Sequence, residues 1–301
     1  MIEVKHISKS YGDTEALKNV SLKVQTGELF GLIGPDGAGK TTLMRILMTL
    51  LLPDKGDAEM MFHNVVEDHH IIRNIAGYMP GRFSLYQDLT VEENLSFFAT
   101  VFGTTVEENY DLIKDIYVQI EPFKTRRAGK LSGGMKQKLA LSCAMIHKPE
   151  VLILDEPTTG VDAVSRKEFW DMLKRLKKSG ITILVSTPYM DEAEQCDRIA
   201  LIDNGIILGT DTPAGLKQSF NGRLWQYSTQ KLYQSLKLIR EIEQVESVHT
   251  FGQFLHLTTG VHMSEEDLTA ALSSKINDGF ELKEMEPGIE DIFMQKMAEH
   301  E

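Results

Sequence analysis

The sequence predicts an α/β fold with a doubly wound core, followed by a small α+β domain. Three short runs are mostly apolar on both faces, namely LFGLIG (29–34), VLILD (151–155) and ITILVS (181–186), and such runs are typical of parallel strands that helices cover on both faces. Helical periodicity follows the first run in TTLMRILMTL (41–50) and separates the other two in SRKEFWDMLKRLKKSG (165–180). We therefore expect strands and helices to alternate around one buried sheet.

The remaining segments extend this prediction along the chain. Residues 1–30 contain the loosely alternating runs IEVKHIS and LKNVSLKV, which predict an antiparallel β subdomain. Helical patterns dominate residues 82–145 and predict an inserted helical subdomain. The pattern then changes to strand, helix, two strands, helix, strand and helix. We expect one domain over residues 1–220 and a small α+β domain over residues 221–301.

Length and composition indicate a globular protein of roughly two domains, with 301 residues that are 42% hydrophobic and 25% charged. No stretch approaches the ~18 consecutive apolar residues of a membrane helix, and the N-terminus lacks the apolar core of a signal peptide. Cys143 and Cys196 form no CxxC pair, which favours a reducing cytoplasm over a disulfide framework or a zinc site. The formal net charge of −12 argues against a nucleic-acid partner.

The strongest motif is GPDGAGKTT, which stands between a predicted strand and a predicted helix and matches G-x-x-x-x-G-K-[ST]. Its glycines let backbone N–H groups curl around phosphate oxygens, and the N-terminus of the helix adds a partial positive charge. Lys40 supplies a charge for the β- and γ-phosphates, and Thr41 offers its hydroxyl to Mg²⁺. The predicted nucleotide-binding residues are Gly34, Pro35, Asp36, Gly37, Ala38, Gly39, Lys40, Thr41 and Thr42.

A second motif, VLILDEP, places Asp155 and Glu156 at the end of an apolar strand. Carboxylates in such a place are costly unless they meet a cation or a polar ligand. We predict that Asp155 acts on Mg²⁺, directly or through water, and that Glu156 polarises the attacking water. Taken alone, the pair is also compatible with two solvated acids at a strand end. The phosphate loop favours the magnesium interpretation.

The third motif is LSGGMKQKLAL (131–141), in which a serine and two glycines open a predicted helix. A helix N-terminus is receptive to anions, but SGG alone is also a common turn. The order of the three motifs resembles that of the ATP-binding-cassette (ABC) ATPases, and LSGG distinguishes that family from other phosphate-loop enzymes. The resemblance covers residues 1 to about 220.

This resemblance implies a phosphate-loop NTPase core with ATP and Mg²⁺ as cofactors, and Glu156 as the catalytic residue. It also implies a head-to-tail dimer, in which each ATP lies between the phosphate loop of one subunit and the LSGG of the other. The signature falls on Leu131, Ser132, Gly133 and Gly134, the D-loop aspartate on Asp162, and the adenine-stacking aromatic on Tyr11. An ordinary turn tyrosine is the alternative for the last of these.

Two further segments are similar to the drug-resistance type of ABC exporters. GYMP followed by FSLYQDLTVEENL looks like the membrane-coupling stretch of that subgroup, and PGIEDIFMQ (287–295) looks like the end of its C-terminal appendix. The resemblance thus implies export, integral membrane permease subunits as partners, and a cytoplasmic location at the inner face of the membrane. The histidines of the appendix, His249, His256 and His262, match no metal motif in their spacing.

The chain departs from the family pattern at two positions. Gly81 stands where the family has its Q-loop glutamine, and Gln87, six residues on, is not expected to replace it. Pro188 stands where the strand ILVST would be followed by the switch histidine that contacts the γ-phosphate. A proline ends a strand well but donates no hydrogen bond. Loss of one such donor typically costs about 2.7–4 kcal/mol, or roughly 10²–10³ in rate.

These departures predict slow hydrolysis in the chain's own site and favour a heterodimer with a complete ABC ATPase over a homodimer. The intact LSGG would then serve the partner's site. Two alternatives stay open. One is a regulatory ATP-binding partner that rarely hydrolyses, and the other is a non-transport ABC ATPase acting on ribosomes or DNA, which the single cassette and the acidic charge disfavour.

Overall fold

The structure is a computed structural model that describes residues 1–300. The chain divides into two compact units, Met1–Pro213 and Ala214–Glu301. In sequence, the two units thus meet between residues 213 and 214. The domain boundary at residue 220 stays a prediction. Among residues 1–300, no helix is long and apolar enough to cross a lipid bilayer.

The first unit contains two sheets and a set of helices. Its strands are β1 (Ile2–Tyr11), β2 (Thr14–Val24), β3 (Leu29–Ile33), β4 (Lys55–Met60), β5 (His63–Asn64), β6 (Ala76–Met79), β7 (Val151–Asp155), β8 (Thr182–Thr187), β9 (Arg198–Asp203) and β10 (Ile206–Asp211). Its helices are α1 (Lys40–Leu47), α2 (His69–Ile75), α3 (Val91–Val101), α4 (Tyr110–Tyr117), α5 (Gly133–Met145) and α6 (Ala163–Lys178), and α7 (Pro213–Gln218) begins at its end. Short 3-10 helices cover Glu121–Phe123, Ala128–Lys130 and Met190–Gln195.

The central sheet has the strand order β10-β9-β3-β8-β7-β6, and its strands are parallel except for β10. Every residue of β3, β7 and β8 is buried, as their mostly apolar sequences predict. Ile33 pairs with Thr187, and Asp155 pairs with Ser186. The carboxyl ends of these three strands therefore meet at one edge, where a doubly wound sheet binds its ligands. The predicted α/β core is confirmed.

The predicted antiparallel subdomain is a second sheet of order β2-β1-β4-β5. The predicted helical region contains α3, α4 and α5. Helix α3 begins with a capping box, in which Thr90 Oγ1 accepts from the Glu93 N–H at 3.2 Å and Glu93 Oε2 accepts from the Thr90 N–H at 2.7 Å. Helix α4 is shorter than its predicted pattern. The chain beyond it turns into the 3-10 helix that contains Pro122, because proline cannot continue the α-helical hydrogen bonds.

The second unit is an α+β domain with the predicted order of elements. These are β11 (Arg223–Thr229), α8 (Leu232–Ile239), β12 (Val245–Phe251), β13 (Phe254–Thr259), α9 (Glu265–Lys275), β14 (Phe280–Met285) and α10 (Ile289–His300). The antiparallel sheet runs β12-β13-β11-β14. Its core packs the fully buried Trp225 and Tyr227 with Leu268 and Leu272 of α9. His256 is buried and lies 2.7 Å from Asp291 of α10, which accounts for one histidine as a core residue.

Candidate functional site

The phosphate loop connects the end of β3 to the start of α1. Gly39 is the N-cap of α1, and no side chain caps the first turn. The first N–H groups of a helix have no acceptor within the helix, so these donors remain available to an anion at the positive end of the helix dipole. The loop thus has the backbone chemistry that phosphate oxygens require.

The three glycines of the loop are needed for different reasons. A Cβ atom at Gly34 would stand 2.0 Å from the carbonyl oxygen of Ile202 in β9, so the loop start needs glycine for packing. Gly37 has a φ of +83° and open space around it, so only its backbone conformation excludes other residues. Gly39 combines a φ of +104° with a Cβ position 2.5 Å from the Ala16 carbonyl oxygen.

Lys40 is 3% exposed and lies at the centre of the site. Its Nζ atom donates to the carbonyl oxygens of Gly34 and Pro35, both at 2.8 Å. The same atom lies 3.1 Å from Glu156 Oε1. The ammonium group is therefore held over the loop, where incoming phosphate oxygens would meet a fixed charge.

Asp155 and Thr41 supply two oxygen atoms beside the loop. Thr41 Oγ1 donates to Asp155 Oδ1 at 3.1 Å, and Ser186 Oγ donates to the same carboxylate oxygen at 2.8 Å. Asp155 is buried. Burial and then the charge of Asp155 raise the pKa of the Tyr78 hydroxyl to about 12, so this neighbour stays neutral.

These oxygens fit a magnesium ion. Mg²⁺ prefers oxygen ligands and is usually held by one or two carboxylates together with phosphates and water. Thr41 and Asp155 already bring a hydroxyl and a carboxylate oxygen within 3.1 Å of each other. Within residues 1–300, no group of three or more His, Cys, Asp or Glu side chains could hold a metal by itself. A cation here would thus need oxygen atoms from a bound nucleotide or water.

Glu156 has an unusual backbone conformation directly after β7. Its φ of +49° lies in the left-handed region, which costs a non-glycine residue roughly 1–3 kcal/mol and persists only where the surroundings enforce it. The enforcing contacts come from Ser186, whose side-chain and main-chain oxygens accept from the Glu156 N–H at 3.0 and 3.1 Å. This conformation accompanies the ion pair between the Glu156 carboxylate and Lys40.

Tyr11 belongs to a β-hairpin that approaches the phosphate loop at another residue. It pairs with Thr14 in the hairpin of β1 and β2, and the Ala16 carbonyl two residues further on approaches Gly39. The side chain is 47% exposed, so part of the ring is open to solvent. Stacking of a base on an aromatic ring is worth about 1–3 kcal/mol.

The LSGG motif and Asp162 form a second group at the start of α5 and α6. Ser132 is the N-cap of α5, and Asp162 is the N-cap of α6, where its carboxylate accepts from the Val164 and Ser165 N–H groups at 3.1 and 3.0 Å. The Ser165 N–H contributes most to a lowered pKa of the Asp162 carboxyl. A Cβ atom at Gly134 would lie 2.7 Å from Ser165 Oγ, so the two helix starts are packed closely.

Ser132 and Gly133 are exposed, whereas Leu131 is buried. The hydrogen bonds of this second group are separate from those of the phosphate loop within residues 1–300. The chain therefore brings the loop, Asp155 and Glu156 into one site, and presents the LSGG motif at another.

Gly81 lies against Asp155. Its Cβ position is 3.2 Å from the Asp155 carbonyl oxygen and 3.7 Å from Asp155 Oδ2. Gln87 instead packs on Gly129, whose N–H donates to the Gln87 carbonyl at 2.9 Å. The glutamine is thus anchored beside the 3-10 helix that precedes the LSGG motif.

Pro188 follows β8 at the same edge of the sheet. The preceding residue, Thr187, accepts from the Gly34 N–H through its carbonyl at 3.3 Å. Pro188 therefore occupies the end of the strand that borders the loop, and its ring offers no hydrogen-bond donor there.

Sequence reasoning missed Ser186 and the residues bound to Glu192. Ser186 bridges Asp155 and Glu156, and buried Glu192 accepts hydroxyl donors from Thr158 and Thr187. One signal was present in the sequence, since polar Ser186 and Thr187 directly follow the apolar residues 183–185.

An apolar groove of about 600 Å³ lies beside β6, between α3 and α5. Its lining includes Tyr78, Met79, Phe98, Phe102, Ala140 and Ala144. Leu50 and Val101, which also line it, are 58% and 61% exposed. The segment at its wall, Met79 and Pro80, leads directly to Gly81 beside Asp155.

Comparison with known proteins identifies relatives of this chain. The family described as "ABC transporter" matches residues 17–159. The chain is 44% identical over 213 residues to the probable multidrug ABC transporter ATP-binding protein YbhF of Escherichia coli, which covers 70% of this chain but only 37% of that relative. It is 33% identical over 301 residues to the Nod factor export ATP-binding protein I of Rhizobium sp. (strain N33). This match covers 98% of this chain and 96% of that relative.

Solved structures give the same result for the fold. An ATP-binding subunit of an ABC transporter is 28% identical, with a TM-score of 0.67 over 73% of this chain and 93% of that chain. The ATP-binding cassette MJ0796, solved as a dimer in a post-hydrolysis state with ADP and Pi, is 26% identical, with a TM-score of 0.64 over 70% of this chain and 98% of that chain.

Proposed function

Because the chain belongs to the ABC transporter family, we propose that it is the ATP-binding subunit of an exporter and hydrolyses Mg-ATP slowly in its own site. The observation that carries the proposal is the cluster of Lys40, Thr41, Asp155 and Glu156 at one edge of the parallel sheet. The names of two relatives, one multidrug and one Nod factor export protein, support export.

Each residue of the cluster has a separate task in this proposal. Backbone N–H groups of the loop and Lys40 bind and orient the phosphates, and Tyr11 stacks on the base. Thr41 and Asp155 would hold Mg²⁺, which neutralises phosphate charge when bound. Glu156 leaves its ion pair with Lys40 as the phosphates arrive, and its carboxylate then orients the attacking water.

The slow turnover follows from what the site lacks. A glutamine at position 81 would place its Cβ atom 3.7 Å from Asp155 Oδ2, so its amide group could reach the site. Gly81 has no side chain and therefore no such amide. Pro188 removes a second donor at the end of β8. Catalysis of phosphoryl transfer depends on positioning and electrostatic stabilisation, so both losses act on the step that limits hydrolysis.

We propose that the functional unit is a head-to-tail dimer with a complete ABC ATPase. The exposed Ser132 and Gly133 at the start of α5 would bind the ATP held by the phosphate loop of the partner, and a related cassette is a dimer after hydrolysis. A homodimer would contain two impaired sites, whereas the heterodimer has one. A regulatory subunit that binds ATP with almost no hydrolysis is the second candidate, and the absence of side-chain donors at Gly81 and Pro188 favours it.

We propose that the apolar groove beside β6 receives a short cytoplasmic segment of an integral membrane permease. The groove wall continues into Gly81, so a segment seated there would lie next to the magnesium side of the site. This route connects nucleotide binding to movement of the permease, and it places the chain at the inner face of the membrane.

Val101→Asp is expected to weaken permease binding selectively. The substitution places a charge at the groove, and docking of the permease would bury that charge. We expect at least a roughly tenfold loss of permease recovered with the tagged chain from detergent-solubilised membranes, because an unpaired buried charge costs several kcal/mol. Val118→Asp is the matched control, since Val118 is 50% exposed at the end of α4 and lies outside the groove.

Both variants should bind Mg-ATP as the unmodified chain does. Equal recovery of the permease with Val101→Asp and Val118→Asp would refute this docking site, whatever the nucleotide affinity.

A further inference from the structure

Glu192 is a buried carboxylate outside the recognised motifs. It lies in the 3-10 helix after β8, and one of its oxygens, Oε2, accepts from Thr158 Oγ1 at 2.9 Å and from Thr187 Oγ1 at 2.6 Å. All three residues are buried. The guanidinium of Arg166 lies 3.9 Å from the other oxygen. Burying a carboxylate costs free energy unless its oxygens are paired or accept hydrogen bonds. The presence of Glu192 at this buried position therefore indicates a specific role.

The two hydroxyl groups belong to segments that are both linked to Lys40, one through Gly34 and one through Glu156. On one side, the Thr187 carbonyl accepts from the Gly34 N–H at 3.3 Å, and the Gly34 carbonyl accepts from Lys40 Nζ at 2.8 Å. This path holds the start of the phosphate loop against the end of β8.

On the other side, Thr158 lies two residues after Glu156, whose carboxylate is 3.1 Å from Lys40 Nζ. Glu156 holds a left-handed φ of +49°, and such a conformation relaxes unless neighbouring contacts enforce it. Ser186 holds the N–H of Glu156 by accepting a hydrogen bond from it. Thr158 anchors the chain two residues after Glu156 through its bond to Glu192.

We propose that Glu192 is a positioning residue for the hydrolysis reaction, which holds Glu156 and the start of the phosphate loop in register by binding Thr158 and Thr187 together. The role rests on the proposed function, because it concerns the same site. The contact with Thr187 supports the start of the loop, whereas the contact with Thr158 supports Glu156. Loss of the Thr158 contact alone should therefore affect hydrolysis more than nucleotide binding, since the phosphate contacts come from the loop backbone and Lys40.

The test removes one hydroxyl without changing side-chain size. Thr158→Val is compared with Thr159→Val, which changes the exposed neighbouring threonine, and with Thr158→Ser, which restores the hydroxyl. Hydrolysis is measured under single-turnover conditions, with the full chain in excess over labelled Mg-ATP, because this readout resolves very slow rates. Mg-ATP affinity and melting temperature are measured on the same samples.

We expect Thr158→Val to lower the single-turnover rate about tenfold while Mg-ATP affinity stays within about twofold. Thr158→Ser should recover the rate, and Thr159→Val should not change it. In a Glu192→Gln background, Thr158→Val should lower the single-turnover rate by a smaller factor than it does alone, because the effects of substitutions within one hydrogen-bond network are not additive.

Two results for Thr158→Val would overturn the role while leaving the proposed function intact. One is an unchanged rate in Thr158→Val, and the other is a parallel fall of rate, affinity and melting temperature, which would indicate a structural role only. If the unmodified chain shows no hydrolysis in this assay, the proposed ATPase activity fails, and the positioning role fails with it.

Discussion

Lys40→Ala is expected to lower Mg-ATP affinity by about 100-fold or more, since two charge-assisted contacts to phosphate are lost at about 1.5–3 kcal/mol each. Hydrolysis should fall below detection. The structure explains the size of the effect, because Nζ is buried and held by Gly34 and Pro35 over the loop. Water cannot replace the charge there as it would on the surface.

Titration calorimetry with a slowly hydrolysed ATP analogue measures this affinity directly. Lys55→Ala, at the exposed start of β4, is the matched control and should bind as the unmodified chain does. Removal of Lys40 also leaves Glu156 without its cation, so thermal unfolding should be recorded to verify that the variant is folded. Near-normal affinity in folded Lys40→Ala would refute the assignment of the phosphate loop.

Pro188→His is expected to raise ATP turnover by roughly 10²-fold, since it restores one donor to the developing phosphate charge. The position suits the change, because Pro188 follows the strand end where Thr187 already borders Gly34. Pro188→Ala is the control that removes the ring without adding an imidazole. Turnover of Pro188→Ala should stay near that of the unmodified chain.

Addition of Gly81→Gln should raise turnover further. The gain should be smaller than it would be for a glutamine that fits this position without a steric conflict. The Cβ atom of the introduced glutamine must fit 3.2 Å from the Asp155 carbonyl oxygen, so the backbone has to yield by a few tenths of an ångström. If neither Pro188→His nor the double variant gains activity while both bind Mg-ATP, the explanation of slow turnover by these two positions is wrong.

The doubly wound core and the position of the phosphate loop between a strand and a helix were predictable from sequence. The parallel strands are mostly apolar, and the phosphate loop needs glycine and lysine at fixed spacing, so both leave local patterns. The conformations of Gly37 and Gly39 follow the same logic, because residue type and backbone angle are linked at each position.

The network around Glu192 was not predictable, because it depends on contacts between distant segments. Thr158 and Glu192 are separated by 34 positions and meet only because the segments after β7 and β8 lie side by side. The groove has the same origin, since β6, α3 and α5 come from three separate stretches of chain. Tertiary contacts of this kind leave no periodic signal in the sequence.

We propose that this chain binds Mg-ATP in a complete phosphate loop and hydrolyses it slowly because donors are missing at Gly81 and Pro188. The most direct measurement is steady-state turnover of the pure, unmodified chain at saturating Mg-ATP, with binding verified on the same sample. We predict clear binding with turnover well below the about 1–10³ s⁻¹ typical of enzymes. Turnover within that range would contradict the claim. Pro188 would then be only a strand terminator, and the chain would be competent as a homodimer.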